Sequence, residues 1–283
     1  MTHSRRLAVT ALLGTALLPL AAGCGSGSKS SVTIERPKVW HLGSFRPAGS
    51  ITPGKPVELT FRIVEPSGAT LTRYRRGAGP HTGIHLIIVR DDLDAIIHLH
   101  PRIASDGVLR QKVVFAAPGR YRMVVDTYPN LPDAPPNFQL FRTVQVGSGN
   151  PVRPLPPYEP TVKTDGYTIT IEGKPRLKAI EPAFLTVKIA DAEGKPPRLI
   201  PFYGALAHAI FFRKGSLDYF HTHVCAPNAV GCSSLTRAPV GTSTTPGILH
   251  AGVLLPLPGT WRLFLQMELG GKIVTAPYTL HVT

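Results

Sequence analysis

The sequence has few cysteines, few acidic residues and few stretches without a helix-breaking residue. Three cysteines in 283 residues are too few for a disulfide-stabilised scaffold. Asp and Glu number 17 against 31 Lys and Arg, which gives a formal net charge of +14 and suits an anionic surface. No basic cluster is interleaved with aromatics, so we do not expect nucleic-acid binding. Because 29 prolines and 27 glycines interrupt the chain, long helices are disfavoured and an all-β fold is expected.

Residues 1–23 are typical of a lipoprotein signal peptide, which takes no part in the mature fold. Arg5 and Arg6 precede an apolar stretch over residues 7–20, which is shorter than the roughly 20 residues of a membrane-spanning helix. The next residues, Leu-Ala-Ala-Gly-Cys, resemble a bacterial lipobox, and this resemblance implies lipidation of Cys24. We therefore expect an extracytoplasmic protein that is lipid-anchored to the cell membrane.

The mature chain divides into two parts of similar size. Residues 24–32 have the composition of a flexible tether. Residues 149–160 contain five prolines and predict an extended, semi-rigid linker. The expected domains are therefore residues 33–148 and residues 161–283.

The two parts share a sequence pattern. Residues 85–100 align without a gap with residues 208–223, and residues 117–122 align with residues 257–262 around a Pro-Gly pair. Two copies of one domain explain both matches most simply. Three histidines match in each copy: His85, His98 and His100 in the first, and His208, His221 and His223 in the second.

Short apolar runs between turn residues predict the strands of two tandem immunoglobulin-like antiparallel β-sandwich domains. In the first half the predicted strands cover residues 57–64, 84–90, 95–99, 108–115, 121–126 and 138–146. In the second half they cover residues 168–171, 184–189, 208–213, 219–222, 248–255, 261–266 and 273–281.

The histidines are expected to share one face of a hairpin in each half. Two-residue loops would place His85 opposite His98 and His208 opposite His221. Positions i and i+2 of a strand point to the same side, about 6.6 Å apart, so His100 and His223 join their neighbours. A shift of one residue in the strand register would turn the first histidine to the opposite face of the sheet. The number of residues between the histidines avoids this in both halves.

Three neutral imidazoles on a stiff sheet suit Cu²⁺ or Zn²⁺, whose nitrogen ligands lie at about 2.0 to 2.1 Å. We expect up to two ions, one in each half. His250 on the next predicted strand is a further candidate ligand in the second half, where the first half has Arg110. Asp126, which aligns with Gln266, is a candidate ligand in the first half. Alternatively, the histidines donate hydrogen bonds to backbone carbonyls at the sheet ends.

Cys225 and Cys232 are expected to form a disulfide, because disulfides persist outside the cytoplasm and a lipidated Cys24 leaves one pair. In the alternative, a thiolate joins His221 and His223 as a soft ligand for Cu(I).

The histidine hairpins and the Pro-Gly sequels resemble a family of secreted or lipid-anchored actinobacterial proteins that is labelled heavy-metal-binding or YtkA-like. The resemblance covers about residues 57–146 and 165–282. It implies immunoglobulin-like domains and a role with copper or another heavy metal outside the membrane. The second half departs from the first after its His-x-His, where Val224 replaces the proline of position 101.

Three functions are considered. The first is an extracytoplasmic, non-enzymatic lipoprotein that binds copper, or zinc, for buffering, resistance or delivery. The second is an envelope interaction or assembly module that contacts another envelope protein and whose histidines are incidental. The third is a zinc enzyme with an open three-histidine site made from His221, His223 and His250. The sequence does not indicate the oligomeric state.

Overall fold

The computed structural model describes residues 38–75, 83–150, 152–226 and 239–283. Within these residues the chain forms strands and no helix, which confirms the expected all-β fold. None of the described residues belongs to a helix that would be long and apolar enough to cross a membrane. The signal peptide, the tether, Cys24 and Cys232 lie outside the described residues. The strands are β1 (His41–Arg46), β2 (Pro56–Val64), β3 (Ile84–Arg90), β4 (Ile96–Leu99), β5 (Arg102–Ile103), β6 (Leu109–Val114), β7 (Gly119–Thr127), β8 (Phe138–Val146), β9 (Thr161–Thr164), β10 (Tyr167–Ile171), β11 (Ala183–Ala190), β12 (Ala207–Arg213), β13 (Tyr219–Cys225), β14 (Gly241–Thr245), β15 (Ile248–Val253), β16 (Gly259–Leu269) and β17 (Lys272–Val282).

The first half is a sandwich of two four-stranded antiparallel sheets. One sheet has the order β1-β2-β6-β5, and the other has the order β4-β3-β7-β8. Side chains from both sheets form one apolar core, in which Phe61 of β2 packs with Leu86 of β3 and Met123 of β7. Such alternation of buried and exposed residues along β2 is what an antiparallel sandwich requires.

The second half contains one nine-stranded sheet that folds over its own core. The strand order is β17-β16-β12-β13-β14-β15-β11-β10-β9. A short parallel pairing of β13 with β14 joins its two parts. Residues of both parts, including Val187 of β11 and Phe211 of β12, share one core. The second half is therefore also a sandwich.

The order of β4-β3-β7-β8 in the first half is repeated by β13-β12-β16-β17 in the second. The central strands β3 and β12 are buried along almost their whole length, as expected for strands covered on both faces. One face of each contributes to its own core. The other faces meet in a separate apolar cluster, which we call the inter-half cluster. Its buried members are Ile87, Val89, Leu93, Val124, Ile210, Phe212, Leu217 and Phe264.

The register of both histidine hairpins differs from the prediction by two residues. Ile87, rather than His85, lies opposite His98, and His208 lies opposite His223. The cause is the turn: Arg90 pairs with Ala95 by an N–H···O bond, and Arg213 pairs with Asp218, so each loop has four residues instead of two. A shift of two preserves the side of the sheet, so the expected shared face is retained.

The proline-rich segment between the halves lies against the first half. The backbone nitrogen of Arg153 donates to Asp92 Oδ2 at 3.4 Å, and Leu155 packs against the inter-half cluster. Residues 152–159 form no strand, in keeping with the predicted extended linker. The linker thus runs beside the surface that joins the two halves.

Candidate metal centre

The predicted histidines of both halves meet in a single group. The ring centroids of His85 and His221 are 4.8 Å apart, and those of His98 and His208 are 5.0 Å apart. The two histidine triplets therefore do not lie apart, one in each half, as we expected. The sequence patterns describe each hairpin on its own, whereas the outer faces of β3 and β12 are buried against each other. We call this group the histidine cluster; it comprises His85, His98, His100, His208, His221 and His223.

Four members of the cluster can hold a metal ion. One ligand atom from each of His85, His98, His208 and His221 lies within 4.8 Å of the other three. His85 Nδ1 is 3.2 Å from His98 Nε2, and His208 Nδ1 is 3.1 Å from His221 Nε2. Nitrogens at about 2.0 to 2.1 Å from a tetrahedral ion are about 3.3 Å from each other. Two of the nitrogen pairs therefore already have nearly the required spacing.

The four rings are arranged with approximate two-fold symmetry. The His85 and His98 rings are 5.4 Å apart at an interplanar angle of 9°, and the His208 and His221 rings are 5.3 Å apart at 26°. His85 and His208 are wholly buried, and His221 is 6% exposed. Each half thus supplies two donors to a site that is largely closed to water.

Hydrogen bonds to fixed acceptors define the protons on two of the rings. His98 Nδ1 lies 3.0 Å from Gln266 Oε1, and His208 Nε2 lies 3.1 Å from the backbone oxygen of Phe202. Carbonyl oxygens only accept, so each of these ring nitrogens carries the proton. The remaining nitrogens, His98 Nε2 and His208 Nδ1, therefore present lone pairs to the cluster, as metal ligands must. His208 also realises the alternative expected from the sequence, a bond to a backbone carbonyl.

Asp126 lies beside the cluster, but it approaches a histidine of the other half. It pairs with His85 across β3 and β7, while its Oδ2 is 3.7 Å from His221 Nδ1. His221 Nδ1 faces away from the nitrogen pair, so Asp126 is placed as an outer partner of a ligand instead of the first-half ligand that we expected. Four side chains donate to its carboxyl group: Asn137, Gln139, Tyr128 and Tyr219.

Gln266 occupies the matching position in the second half. It pairs with His208 across β12 and β16, while its amide oxygen accepts the Nδ1 proton of His98. Its amide nitrogen donates to Thr275 Oγ1 at 3.0 Å, which anchors the end of the side chain. The outer partners are therefore exchanged: Asp126 of the first half serves His221, and Gln266 of the second half serves His98.

Burial sets the ionisation of the cluster. Desolvation, and then the neighbouring histidines, lower the pKa of His85 and His208 well below the usual value of 6.5. Burial raises the pKa of Asp126, although the hydrogen bonds that it accepts oppose the change. Burial and the nearby carboxyl group raise the pKa values of Tyr128 and Tyr219. His85 and His208 are thus neutral at neutral pH, the form that binds metal.

A tight turn covers one side of the cluster. Phe202 and Ala205 exchange backbone hydrogen bonds of 2.9 and 3.1 Å, and Tyr203 between them has a positive φ of 48°. The Tyr203 ring stacks on His100 with centroids 3.7 Å apart and an interplanar angle of 11°. Tyr203, His100 and His223 are partly exposed, so this is the side of the cluster that lies nearest to solvent.

His250 is not brought to the cluster. It lies on β15, where its Nδ1 is 3.2 Å from Thr186 Oγ1, and it is outside the group of four mutually close ligands. An open site made from His221, His223 and His250 thus has no support in this geometry. The position that aligns with His250, Arg110, lies on β6 and is exposed.

Cys225 is disulfide-bonded, and Cys232 lies outside the described residues. A disulfide sulfur is not a thiolate, so the alternative in which Cys225 is a soft ligand does not apply to this state.

Sequence reasoning missed Gln266, Tyr203 and Tyr219 as partners of the cluster. The alignment of Gln266 with Asp126 carried a usable signal, because polar residues at matching positions of two buried strands need hydrogen-bond partners. Tyr203 and Tyr219 carried no such signal, since their contacts depend on how the turn and the two halves meet.

A family model matches residues 43–131 and 161–283, which cover most of both halves. Its description is "Domain of unknown function (DUF8832)". None of the curated proteins matches the chain.

Solved structures with similarity include a Salmonella alpha-2-macroglobulin mutant, at 13% identity and a TM-score of 0.28. The bacterial integrin-binding protein invasin has 13% identity and a TM-score of 0.22. The titin domains Z1Z2 have 13% identity and a TM-score of 0.20. These matches cover 89%, 87% and 86% of this chain. The chain spans 15% of the macroglobulin, 39% of invasin and 97% of the titin fragment. Similarity at this level carries no argument about function.

The lowered pKa values predict an acid-labile fold in the absence of metal. Below about pH 6.5 the unfolded chain binds protons at His85 and His208 that the folded protein does not, so the free energy of unfolding falls as pH falls. Two such groups change the free energy of unfolding by at most about 2.7 kcal/mol per pH unit. Urea unfolding at a series of pH values from 7.5 to 5 measures this slope.

The slope should become shallower in a His85→Gln/His208→Gln variant and should be unchanged in His281→Gln, which removes an exposed histidine. Asp126 acts with the opposite sign, because its raised pKa keeps a proton on the folded state above the usual pKa of 3.8. The pH dependence of the free energy of unfolding is therefore compared between proteins that all carry Asp126→Asn. An equal slope in the double variant and in His281→Gln would show that these two rings do not control acid stability.

Proposed function

Because the chain belongs to the DUF8832 family, whose description assigns no activity, we propose a function from the cluster itself. The protein binds one transition metal ion between its two halves, outside the cytoplasm. Copper is the first choice and zinc the second. The observation that carries the proposal is the set of four ligand atoms within 4.8 Å of one another.

The donor chemistry supports copper or zinc. Imidazole nitrogens suit both ions, while Ca²⁺ and Mg²⁺ require oxygen ligands. Among divalent first-row ions, Cu²⁺ binds most strongly to a given set of nitrogen ligands. The ion would be held by His85, His98, His208 and His221, and it would supply bonds that join β3 and β4 to β12 and β13. The Asp126 carboxyl group is close enough to offset part of its charge.

The burial of the site favours retention of the ion over catalysis. A catalytic zinc or copper site keeps a position open for water or substrate. Here His85 and His208 are fully buried, and Tyr203 stacks over His100 on the partly exposed side. Buffering, resistance or delivery of the metal fits a closed site of this kind, and we propose no reaction.

The location outside the cytoplasm rests on the sequence of the leader. The lipobox-like residues 20–24 support acylation of Cys24, and the resemblance to secreted heavy-metal-binding proteins supports the same location. An anchored metal protein would act at the membrane surface, where an envelope protein can accept the ion from the side that Tyr203 covers.

Metal stoichiometry tests the shared site. Titration of the metal-free protein with Cu²⁺ or Zn²⁺, followed by elemental analysis, should give one tightly bound equivalent. His98→Ala in the first half and His221→Ala in the second should each weaken that same equivalent by more than about 100-fold, since even outer partners contribute 10- to 100-fold.

The control is His250→Ala, which removes a histidine outside the group and should keep the full equivalent. Two equivalents in the unaltered protein, or a variant of one half that retains tight binding, would refute a site shared by both halves.

Exchange of the outer partners generates a second prediction. Asp126→Asn removes a carboxylate beside His221, and Gln266→Leu removes the acceptor of His98. Each should lower metal affinity by about 10- to 100-fold without changing the stoichiometry. Competition with a chelator of known affinity measures the change. The control is Gln145→Leu. The Gln145 amide donates to backbone oxygens at and beyond the end of β8, and it is not a partner of the histidine cluster. Equal affinities in all four proteins would contradict the outer-partner roles.

The anchor is tested separately. Cys24→Ala should release the protein from the membrane or mislocalise it, because no acyl chain can then be attached. Metabolic labelling with a radioactive fatty acid should mark the unaltered protein and leave Cys24→Ala unlabelled. A Ser26→Ala variant should behave as the unaltered protein. Absence of label from the unaltered protein would remove the anchor from the proposal.

A further inference from the structure

The outward face of the β1-β2-β6-β5 sheet is strongly basic. Leu59 and Phe61 of β2 and Leu109 of β6 point into the core, so alternate positions of these strands point outward. Glu58 is the one acidic residue among these outward strand positions. The cations there are Arg46, Arg62, Arg102, Arg110 and Lys112.

Three of the arginines lie in one row across the sheet. Arg46 pairs with Thr60, Thr60 pairs with Arg110, and Arg110 pairs with Arg102. We call Arg46, Arg102 and Arg110 the arginine row. All three are exposed. Neighbouring strands are about 4.8 Å apart, so the row presents several guanidinium groups within a short distance.

The arginine row is electrostatically costly in the isolated protein. Like charges directly opposite each other on neighbouring strands destabilise a sheet, and Arg102 faces Arg110 in this way. Within the described ranges, none of the three forms an ion pair. Other arginines are neutralised locally: Arg90 contacts Asp92 at 2.8 Å, and Arg213 contacts Asp218 at 3.3 Å. An anion bound to the row would offset the repulsion.

We propose that this face binds the anionic headgroups of a lipid membrane. Guanidinium groups form paired, charge-assisted hydrogen bonds with phosphate oxygens. A row of exposed cations on the face of a sheet meets many headgroups at once. The formal charge of +14 on the whole chain acts in the same direction.

The position of the face along the chain supports a membrane as the occupant. This step rests on the lipid anchor proposed above. β1 is the edge strand of the sheet and begins at His41, close to the start of the described chain at residue 38. Thirteen residues separate Cys24 from Lys38, and the fourteen Cα–Cα steps between them reach at most about 50 Å. A tether of this length holds the basic face at a high effective concentration beside the membrane.

The test uses the protein without residues 1–24, so that neither the apolar leader nor an acyl chain on Cys24 can contribute to binding. It is sedimented with phosphatidylcholine vesicles that contain or lack phosphatidylglycerol, at low and high salt. Arg46→Gln/Arg102→Gln/Arg110→Gln removes the row. The matched control, Lys174→Gln/Arg176→Gln/Arg198→Gln, removes three exposed cations of the second half and changes the net charge equally.

Binding should require phosphatidylglycerol, weaken with salt, and fall by about 100-fold when the row is removed, because each cation near an anionic surface contributes about fivefold. The control triple variant should stay within about fivefold of the parent. Arg110→Gln alone should weaken vesicle binding by about fivefold. This variant should be no less stable than the parent, because it removes the repulsion between Arg110 and Arg102.

Equal losses in the two triple variants, or equal binding to vesicles without phosphatidylglycerol, would overturn the proposal. Binding to a DNA duplex or to an acidic protein without binding to anionic vesicles would also overturn it. Because the protein is not acylated in this experiment, a missing lipid anchor on Cys24 would not change the result, and the two failures remain distinguishable.

Discussion

The contact between the outer faces of β3 and β12 is the constraint on which the site depends. Ile87 and Val89 on β3 pack with Ile210 and Phe212 on β12, and these apolar side chains exclude water from the surface between the halves. His85 and His208 lie on the same faces of the same strands and are therefore carried into this dry interface. Polar groups buried in this way are costly unless they find partners.

The histidine cluster meets this cost by pairing imidazoles within each half and by contacts with Gln266 and Asp126 across the halves. A ring nitrogen of each wholly buried histidine lies 3.1 or 3.2 Å from a ring nitrogen of the same hairpin. The outer ring nitrogens lie beside the backbone oxygen of Phe202 and the side-chain oxygens of Gln266 and Asp126. The lowered pKa values of His85 and His208 follow from the same burial. A fold that keeps these rings neutral, close and oriented already has most of what a metal site needs, and this is the basis of the metal that we propose.

Sequence patterns could predict most of the strands, though not β1, β5, β9 and β14, and they could predict the face that the histidines share. They could not predict the meeting of the two hairpins. The alternation of residues places His98 and His100 together whatever the loop length, so an error of two residues in register did no harm. The sequence did not predict that the two triplets would meet, because docking of the halves depends on the fit between distant surfaces. One sequence feature did carry information: the apolar residues 86–89 and 209–212 leave no polar face, as expected for strands covered on both sides. No local sequence pattern indicates that Asp126 and Gln266 each contact a histidine of the other half.

The central claim is that one ion is shared by both halves, and anomalous diffraction from crystals of the metal-loaded protein tests it most directly. Data collected at the absorption edge of the bound metal should show one peak in the interface. That peak should lie about 2.0 to 2.1 Å from a ring nitrogen of each of His85, His98, His208 and His221. Two separate peaks, each coordinated by the histidines of a single half, would contradict the account, as would one peak bound by ligands of only one half.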